Sequence, residues 1–232
     1  MIWRRAAVIG ASGGIGRALA DALKKRGCEV LRLARRSSNP KRRLDLEDED
    51  SIARVATECG RAGPLDLVVV ATGVLQGDGF RPEKTWRDLD GAALARYFAL
   101  NTTGPALVAK HFLPLLPREG RATFAALSAR VGSISDNRLG GWYGYRASKA
   151  ALNMLIKTLA VELARKRPDA VCVGLHPGTV DTSLSEPFQS NVPEGNLFAP
   201  AYSAEKLLTV LSELRPQDSG GCFAWNGERI AP

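Results

Sequence analysis

Apolar positions along the chain fall into two alternating rhythms. Short, nearly continuous apolar runs at Ala6–Ile9, Glu29–Leu33, Leu67–Val70, Thr123–Leu127, Val171–Leu175 and Cys222–Trp225 read as strands, with a further short strand expected at Arg43–Leu46. Between them the spacing becomes helical. Gly14–Arg26 carries Ile15, Leu19 and Leu23 on one face, and Glu49–Cys59 carries Ile52, Val55 and Cys59. A long helix is expected over Asp90–Leu116, disturbed at Gly104-Pro105, because proline removes an amide and its ring crowds the preceding turn. Tyr143–Arg165, with Ala151, Leu155, Leu159 and Leu163 in one stripe, and Ala204–Leu214 complete the helices. Strands that are apolar throughout suit a parallel sheet covered on both faces. The alternation therefore predicts an α/β fold, a doubly wound parallel sheet of about seven strands, in a single domain over residues 1–232.

Composition narrows the partners. Of 232 residues, 45% are hydrophobic and only 6% aromatic, so the core is expected to be aliphatic. The net charge of +8 suits a polyanionic small molecule as readily as nucleic acid or an anionic membrane. No nucleic-acid recognition motif and no aromatic–basic interleaving occur, and no apolar run is long enough to span a bilayer, so neither partner is expected. Cys28, Cys59, Cys172 and Cys222 form no Cys-x-x-Cys pair, which reads as reduced thiols in a cytoplasmic protein. His111 and His176 lack metal-ligand spacing, and no metal site is expected.

Candidate chemistry sits at two places. The first strand runs into Gly10-Ala-Ser12-Gly13-Gly14-Ile15-Gly16 and then directly into a helix. Glycines allow the sharp turn and the close approach of a pyrophosphate, and the helix N-terminus offers free amides at the positive end of its dipole. In that strand–helix setting the loop predicts a dinucleotide site on a Rossmann fold. The second strand ends in Arg35-Arg36, where an NAD site places a carboxylate for the ribose 2′-hydroxyl. Two guanidiniums instead suit a 2′-phosphate, so the expected cofactor is NADP(H), with NAD(H) less favoured. The second place is Tyr145-Arg-Ala-Ser-Lys149, a phenol and an ammonium four residues apart on one helix face. A neighbouring cation and the helix N-terminus both favour phenolate, so Tyr145 is the candidate proton donor or acceptor for a carbonyl or alcohol.

The glycine loop, Asn101, the Tyr145/Lys149 pair and Pro177-Gly178 together resemble the short-chain dehydrogenase/reductase family over nearly the whole chain. Gly132-Ser-Ile and Gly140–Asn153 are similar to the branch holding C-factor and the sniffer-type carbonyl reductases. The resemblance implies hydride transfer between a nicotinamide and a small carbonyl or alcohol substrate, in a homodimer or homotetramer paired through the two longest helices. It implies that Asp45 and Leu46 lie against the adenine and that Thr72 and Gly73 pack on the adenosine side. Asn101 and Lys149 would share a proton relay, and Pro177, Gly178, Val180 and Thr182 would hold the carboxamide and pyrophosphate. The family's catalytic serine falls at Ala129; Ser128 is taken as its replacement, with Ser133 as the other candidate. Segments 133–142, with Arg138 and Trp142, and 183–200 are expected to form the substrate wall. The missing serine also motivates an alternative, a catalytically weak nucleotide-binding signalling or sensor protein.

Overall fold

The computed structural model describes residues 2–232 other than 78, 187, 188, 190, 191 and 194. Its frame runs through β1 (Arg5–Ile9), α1 (Gly14–Lys25), β2 (Glu29–Leu33), α2 (Glu49–Gly60), β3 (Leu67–Val70), α3 (Gly91–Phe98), α4 (Gly104–Phe112), β4 (Ala122–Leu127), α5 (Tyr143–Lys166) and β5 (Ala170–His176). The chain then makes β6 (Thr179–Val180), β7 (Leu197–Phe198), α6 (Pro200–Glu213), β8 (Cys222–Ala224) and β9 (Arg229–Ile230). A seven-stranded sheet runs in the order β2-β1-β3-β4-β5-β8-β9, and β6 pairs with β7 in a separate two-stranded ribbon. Every pairing in the large sheet is parallel except β8 with β9.

The alternation of side chains across a strand explains how the sheet is buried on both faces. Ala7, Ile9, Val68, Val70, Phe124 and Ala126 point into one core, closed by Ile52 and Val55 of α2, Val108 and Phe112 of α4, and Leu152 and Ile156 of α5. Ala6, Val8, Leu67, Val69, Ala125 and Leu127 point into the other, closed by Leu19 and Leu23 of α1 and by Ala204, Leu207, Leu208 and Leu211 of α6. Burying each such leucine or isoleucine contributes roughly 1.5–3 kcal/mol, which is why helices must cover both faces. Strand order reverses direction between β1 and β3, so their outgoing loops part there and open a cleft at the carboxyl edge.

Two expectations need correction. The strand expected at Arg43–Leu46 is reduced to a single parallel bridge between Ala34 and Arg43, preceded by a 3-10 turn at Pro40–Arg42. The Ser51 hydroxyl lies 2.9 Å from the Asp45 amide and 3.1 Å from the Asp45 carbonyl, so this backbone is satisfied by the first turn of α2 and not by a ladder. The antiparallel edge is instead β9, two residues long and without a periodic signature. The helix expected at Asp90–Leu116 is broken into α3, a π-helical turn at Ala99–Thr103, α4 and a 3-10 turn at Leu113–Leu115. The irregularity begins ahead of Gly104-Pro105 because Pro105 offers no amide to the carbonyl of Asn101, four residues back. Among the described residues no helix is long and apolar enough to cross a membrane.

Candidate active site

The glycine loop is shaped by its lack of side chains. Gly10 has φ +85°, and the amides of Gly10 and Ala11 donate to the Leu33 carbonyl at 2.9 and 3.1 Å, bending the chain across the end of β2. A Cβ on Gly10 would lie 2.7 Å from the Ala71 carbonyl oxygen. One on Gly14 would lie 2.6 Å from the Thr182 methyl, which brings the loop after β6 against the start of α1. Gly16 is a packing glycine: its Cβ would stand 2.2 Å from the Gly10 carbonyl oxygen. No side chain caps the N-terminus of α1 and no acidic residue occupies its first turn, leaving the positive end of the helix open.

A cleft of about 430 Å³ begins at this loop. Gly10, Ser12, Gly13, Gly14, Ile15, Arg35, Asp45, Leu46, Thr72 and Gly73 line one end of it, and Ser128, Tyr145, Lys149, Pro177 and Thr182 the other. Gly16, Arg36, Asn101, Gly178 and Val180 are absent from its wall. Gly178, at φ +79°, is packed by the Phe198 ring, and Val180 is buried in the small ribbon. Ile9, Ala34, Leu44, Ala71, Val74, Leu100 and Leu127 also line the cleft without being candidate site residues, and Ser183 and Leu184 bring to it the start of the segment expected to form the substrate wall. Val74 could have been found from its position beside Gly73; the other aliphatic and alanine positions of the frame carry no chemical signal.

Arg35 and Arg36 are exposed and form no ion pair among the described residues, so Arg35 presents a free guanidinium at the cleft rim. The Thr72 hydroxyl is buried with no hydrogen-bond partner. An uncapped helix end, a glycine cradle, an unpaired guanidinium and an orphaned hydroxyl in one cleft form a donor set that fits a phosphorylated dinucleotide.

At the other end, Tyr145 is the third residue of α5 and Lys149 lies one turn on, 8% and 2% exposed. The Lys149 ammonium donates to the Leu127 carbonyl at 2.8 Å and sits 5.8 Å from the centre of the Tyr145 ring. Burial pushes the Tyr145 phenol up to about 12 and pulls Lys149 down to about 8. The expected shift of Tyr145 toward phenolate is thereby reversed: loss of water outweighs the cation, whose proton is already committed to a backbone carbonyl. Burial thus keeps the Tyr145 phenol protonated, beside an amine whose own proton is loosened toward neutrality.

Asn101 stands behind this pair. Its Oδ1 accepts from the Val74 amide at 2.8 Å, and its Nδ2 donates to the Val74 carbonyl at 2.9 Å and to Ser148 Oγ at 3.1 Å. The side chain therefore splices the loop after β3 to α5. Ser128 reaches the cleft, but its hydroxyl donates to Asn153 Oδ1 at 2.7 Å. Ser133 does not line the cleft; its hydroxyl accepts from the Asp136 amide at 3.1 Å. Ala129 packs with Leu75, Tyr97 and Tyr145 in a small apolar cluster.

A second, larger cavity of about 1310 Å³ shares Gly73, Val74, Ser183 and Leu184 with the cleft and is walled by residues between Leu75 and Ala93. No residue of segment 133–142 lines either cavity: Arg138 is exposed, and the Trp142 ring packs 6.2 Å from that of Tyr145. In segment 183–200, Pro187, Phe188, Ser190, Asn191 and Glu194 lie outside the described residues.

His176 closes β5 just ahead of Pro177, with its Nδ1 buried and unpartnered. Burial, aided by nearby Arg130, lowers it to about 4. An unfolded histidine titrates near 6.5, so between pH 6.5 and 4 the unfolded chain binds the extra proton and the fold loses stability as pH falls. Wild-type protein is expected to lose roughly 2–3 kcal/mol across that window that a His176→Gln variant keeps. Urea denaturation of both proteins at stepped pH measures the difference; parallel curves would refute the assignment.

Residues 4–193 match the short chain dehydrogenase family, and the chain belongs to it. The match agrees with the resemblance drawn from the glycine loop, Tyr145 and Lys149. Among curated relatives, C-signal of Myxococcus xanthus is 35% identical over 172 residues, 72% of this chain and 93% of that protein. The 1-hydroxy-2-glutathionyl-2-methyl-3-butene dehydrogenase of Rhodococcus sp. (strain AD45) is 32% identical over 227 residues, 92% of each. Among solved structures, the NADPH-bound carbonyl reductase from chicken fatty liver superposes with a TM-score of 0.84 at 25% identity, covering 100% of both chains.

Proposed function

We propose that the protein is an NADP(H)-dependent oxidoreductase that interconverts a carbonyl compound and its alcohol, with Tyr145 as the acid/base. The observation that carries this reading is the meeting of Tyr145 and Lys149 with the glycine loop in one cleft. When bound in this cleft, a nicotinamide cofactor would supply the hydride chemistry at the substrate carbon. The protein's own part is proton handling and placement. The Tyr145 hydroxyl gives its proton to the carbonyl oxygen, or removes the alcohol proton in the reverse direction, and Lys149 restores the charge. Ser12, Gly14 and Ile15 would offer backbone amides to the pyrophosphate, with Gly13 shaping the turn through its own amide, which donates to the Gly10 carbonyl at 3.0 Å; Arg35 would grip the 2′-phosphate, and Thr72, Asp45 and Leu46 would pack on the adenosine. Pro177 and Thr182, at the same end of the cleft as Tyr145, would border the nicotinamide. Burial lowers Lys149 to about 8, so at neutral pH it still carries a proton, held loosely enough to pass to the phenolate left after the transfer.

Fluorescence titration of NADPH and NADH tests the phosphate assignment. A charged hydrogen bond contributes about 1.5–3 kcal/mol, so Arg35→Ala is expected to weaken NADPH binding by roughly 10–100-fold and leave NADH unchanged. An unaltered NADPH Kd would move the 2′-phosphate elsewhere. A second reading, a nucleotide-binding signalling protein of low turnover, draws support from Ala129 at the serine position and from the Ser128 hydroxyl being committed to Asn153. NADPH consumption over a panel of aldehydes, ketones and quinones separates the two.

A further inference from the structure

The catalytic helix begins in an unusual way. Gly140, Gly141 and Trp142 follow one another at φ +64°, +65° and +55°, and Trp142 is the one non-glycine residue with positive φ among the described residues. A left-handed conformation in such a residue is disfavoured by roughly 1–2 kcal/mol and persists only where its surroundings impose it. Nor does α5 carry a capping side chain of its own. What holds this turn comes from a residue far away in sequence. The Glu83 carbonyl accepts from the Trp142 amide at 2.6 Å, and the two Glu83 carboxylate oxygens lie 3.3 and 3.2 Å from the Gly144 amide.

Glu83 is only 3% exposed. A buried carboxylate is tolerated where it meets free amides at the positive end of a helix. The fit around it is close. A Cβ on Gly144 would stand 2.3 Å from the Tyr97 ring and 3.0 Å from Glu83 Oε1, so only glycine brings this amide to the carboxylate. Tyr97 is itself fixed by its hydroxyl, which donates to the Leu75 carbonyl at 2.7 Å, and its ring stands 6.4 Å from that of Tyr145. The next residue after Gly144 is Tyr145.

We infer that Glu83 is a positioning residue for proton transfer: its carbonyl and carboxylate together clamp the left-handed turn that launches α5 and so set where the Tyr145 hydroxyl stands. The inference rests on the reading of Tyr145 as the proton donor. Proton transfer demands near-contact geometry, and a displacement of about 1 Å lowers a rate by as much as roughly 10²-fold. Glutamine at this position keeps an oxygen that accepts from Gly144, whereas alanine does not.

Glu83→Ala, Glu83→Gln and Tyr145→Phe, each in the full chain, test it by two readouts: hydrogen–deuterium exchange of peptides covering residues 142–146, and kcat, KM and NADPH Kd with a carbonyl substrate. Glu83→Ala is expected to exchange at least about tenfold faster over 143–146 and to lose at least about tenfold in kcat, with NADPH Kd within about twofold of wild type. Glu83→Gln is expected to recover most of both. Wild-type exchange or wild-type kcat in Glu83→Ala overturns the inference. So does a joint loss of kcat, NADPH affinity and melting temperature that glutamine fails to rescue, since that is a fold defect. Turnover that survives Tyr145→Phe sinks the proposed acid/base and, with it, this role of Glu83. A dead Tyr145→Phe beside an intact Glu83→Ala sinks only Glu83.

Discussion

Replacing Tyr145 with phenylalanine is expected to lower carbonyl turnover by roughly 10²–10⁴-fold, the range for losing a general acid, while NADPH binding and melting temperature stay close to wild type. The separation of effects follows from the environment of the hydroxyl. No hydrogen bond ties it to any described residue, so its removal strands no donor or acceptor, and the ring keeps its packing against Tyr97 and Trp142. Burial holds the phenol near 12, so the wild-type group carries its proton throughout the neutral range and is ready to deliver it. Steady-state kinetics with NADPH and an aldehyde, together with a thermal melt, supply the measurement. Full activity in the variant would remove Tyr145 from the chemistry. A large drop in melting temperature would show that the hydroxyl supports the fold instead.

The glycine loop should fail differently. Gly16→Val forces a branched side chain to within 2.2 Å of the Gly10 carbonyl oxygen and 2.8 Å of its carbon, both of them backbone atoms in a turn already fixed to the end of β2. Overpacking of this kind destabilises by about 3 kcal/mol, equivalent to roughly 6–12 °C in Tm for a domain of this size. The displaced turn is expected to abolish nucleotide binding, because the Ser12 amide and the open start of α1 move with it. Gly91→Ala is the matching control: a Cβ there meets nothing within 4 Å, and alanine is the better helix former. Differential scanning calorimetry and NADPH titration compare the two. A Gly16→Val protein that binds NADPH normally would show the loop to be more pliant than its packing implies.

Much of the architecture was legible because burial on both faces of a parallel sheet writes itself into continuous apolar runs such as Leu67–Val70. The same logic failed for Arg43–Leu46, where a side-chain hydroxyl from Ser51 takes over the backbone bonds that a strand would have made. It failed again for β9, whose two residues are too few to show a period. In the site, glycines and the Tyr145/Lys149 spacing announced themselves because their chemistry depends on residue type. Arg35 and Arg36 looked equivalent in sequence, yet only Arg35 borders the cleft, since neighbours leaving a strand point different ways. The upward shift of the phenol leaves no trace in the spacing of two residues, because desolvation belongs to the folded surroundings. Glu83 was invisible for a related reason: a glutamate sixty-odd positions ahead of the helix it caps carries no local mark.

The sheet also works as a partition. Behind it, α1 and α6 share one apolar layer and carry the glycine turn; in front, α4 and α5 share the other and carry the phenol and amine. The two halves of the chemistry come together only at the rim where their loops overhang. The glycine turn that would hold the pyrophosphate and the phenol and amine proposed to handle protons are thus rooted in separate layers, while Leu46, packed in the front layer and lining the cleft, ties the adenosine end to the second of them.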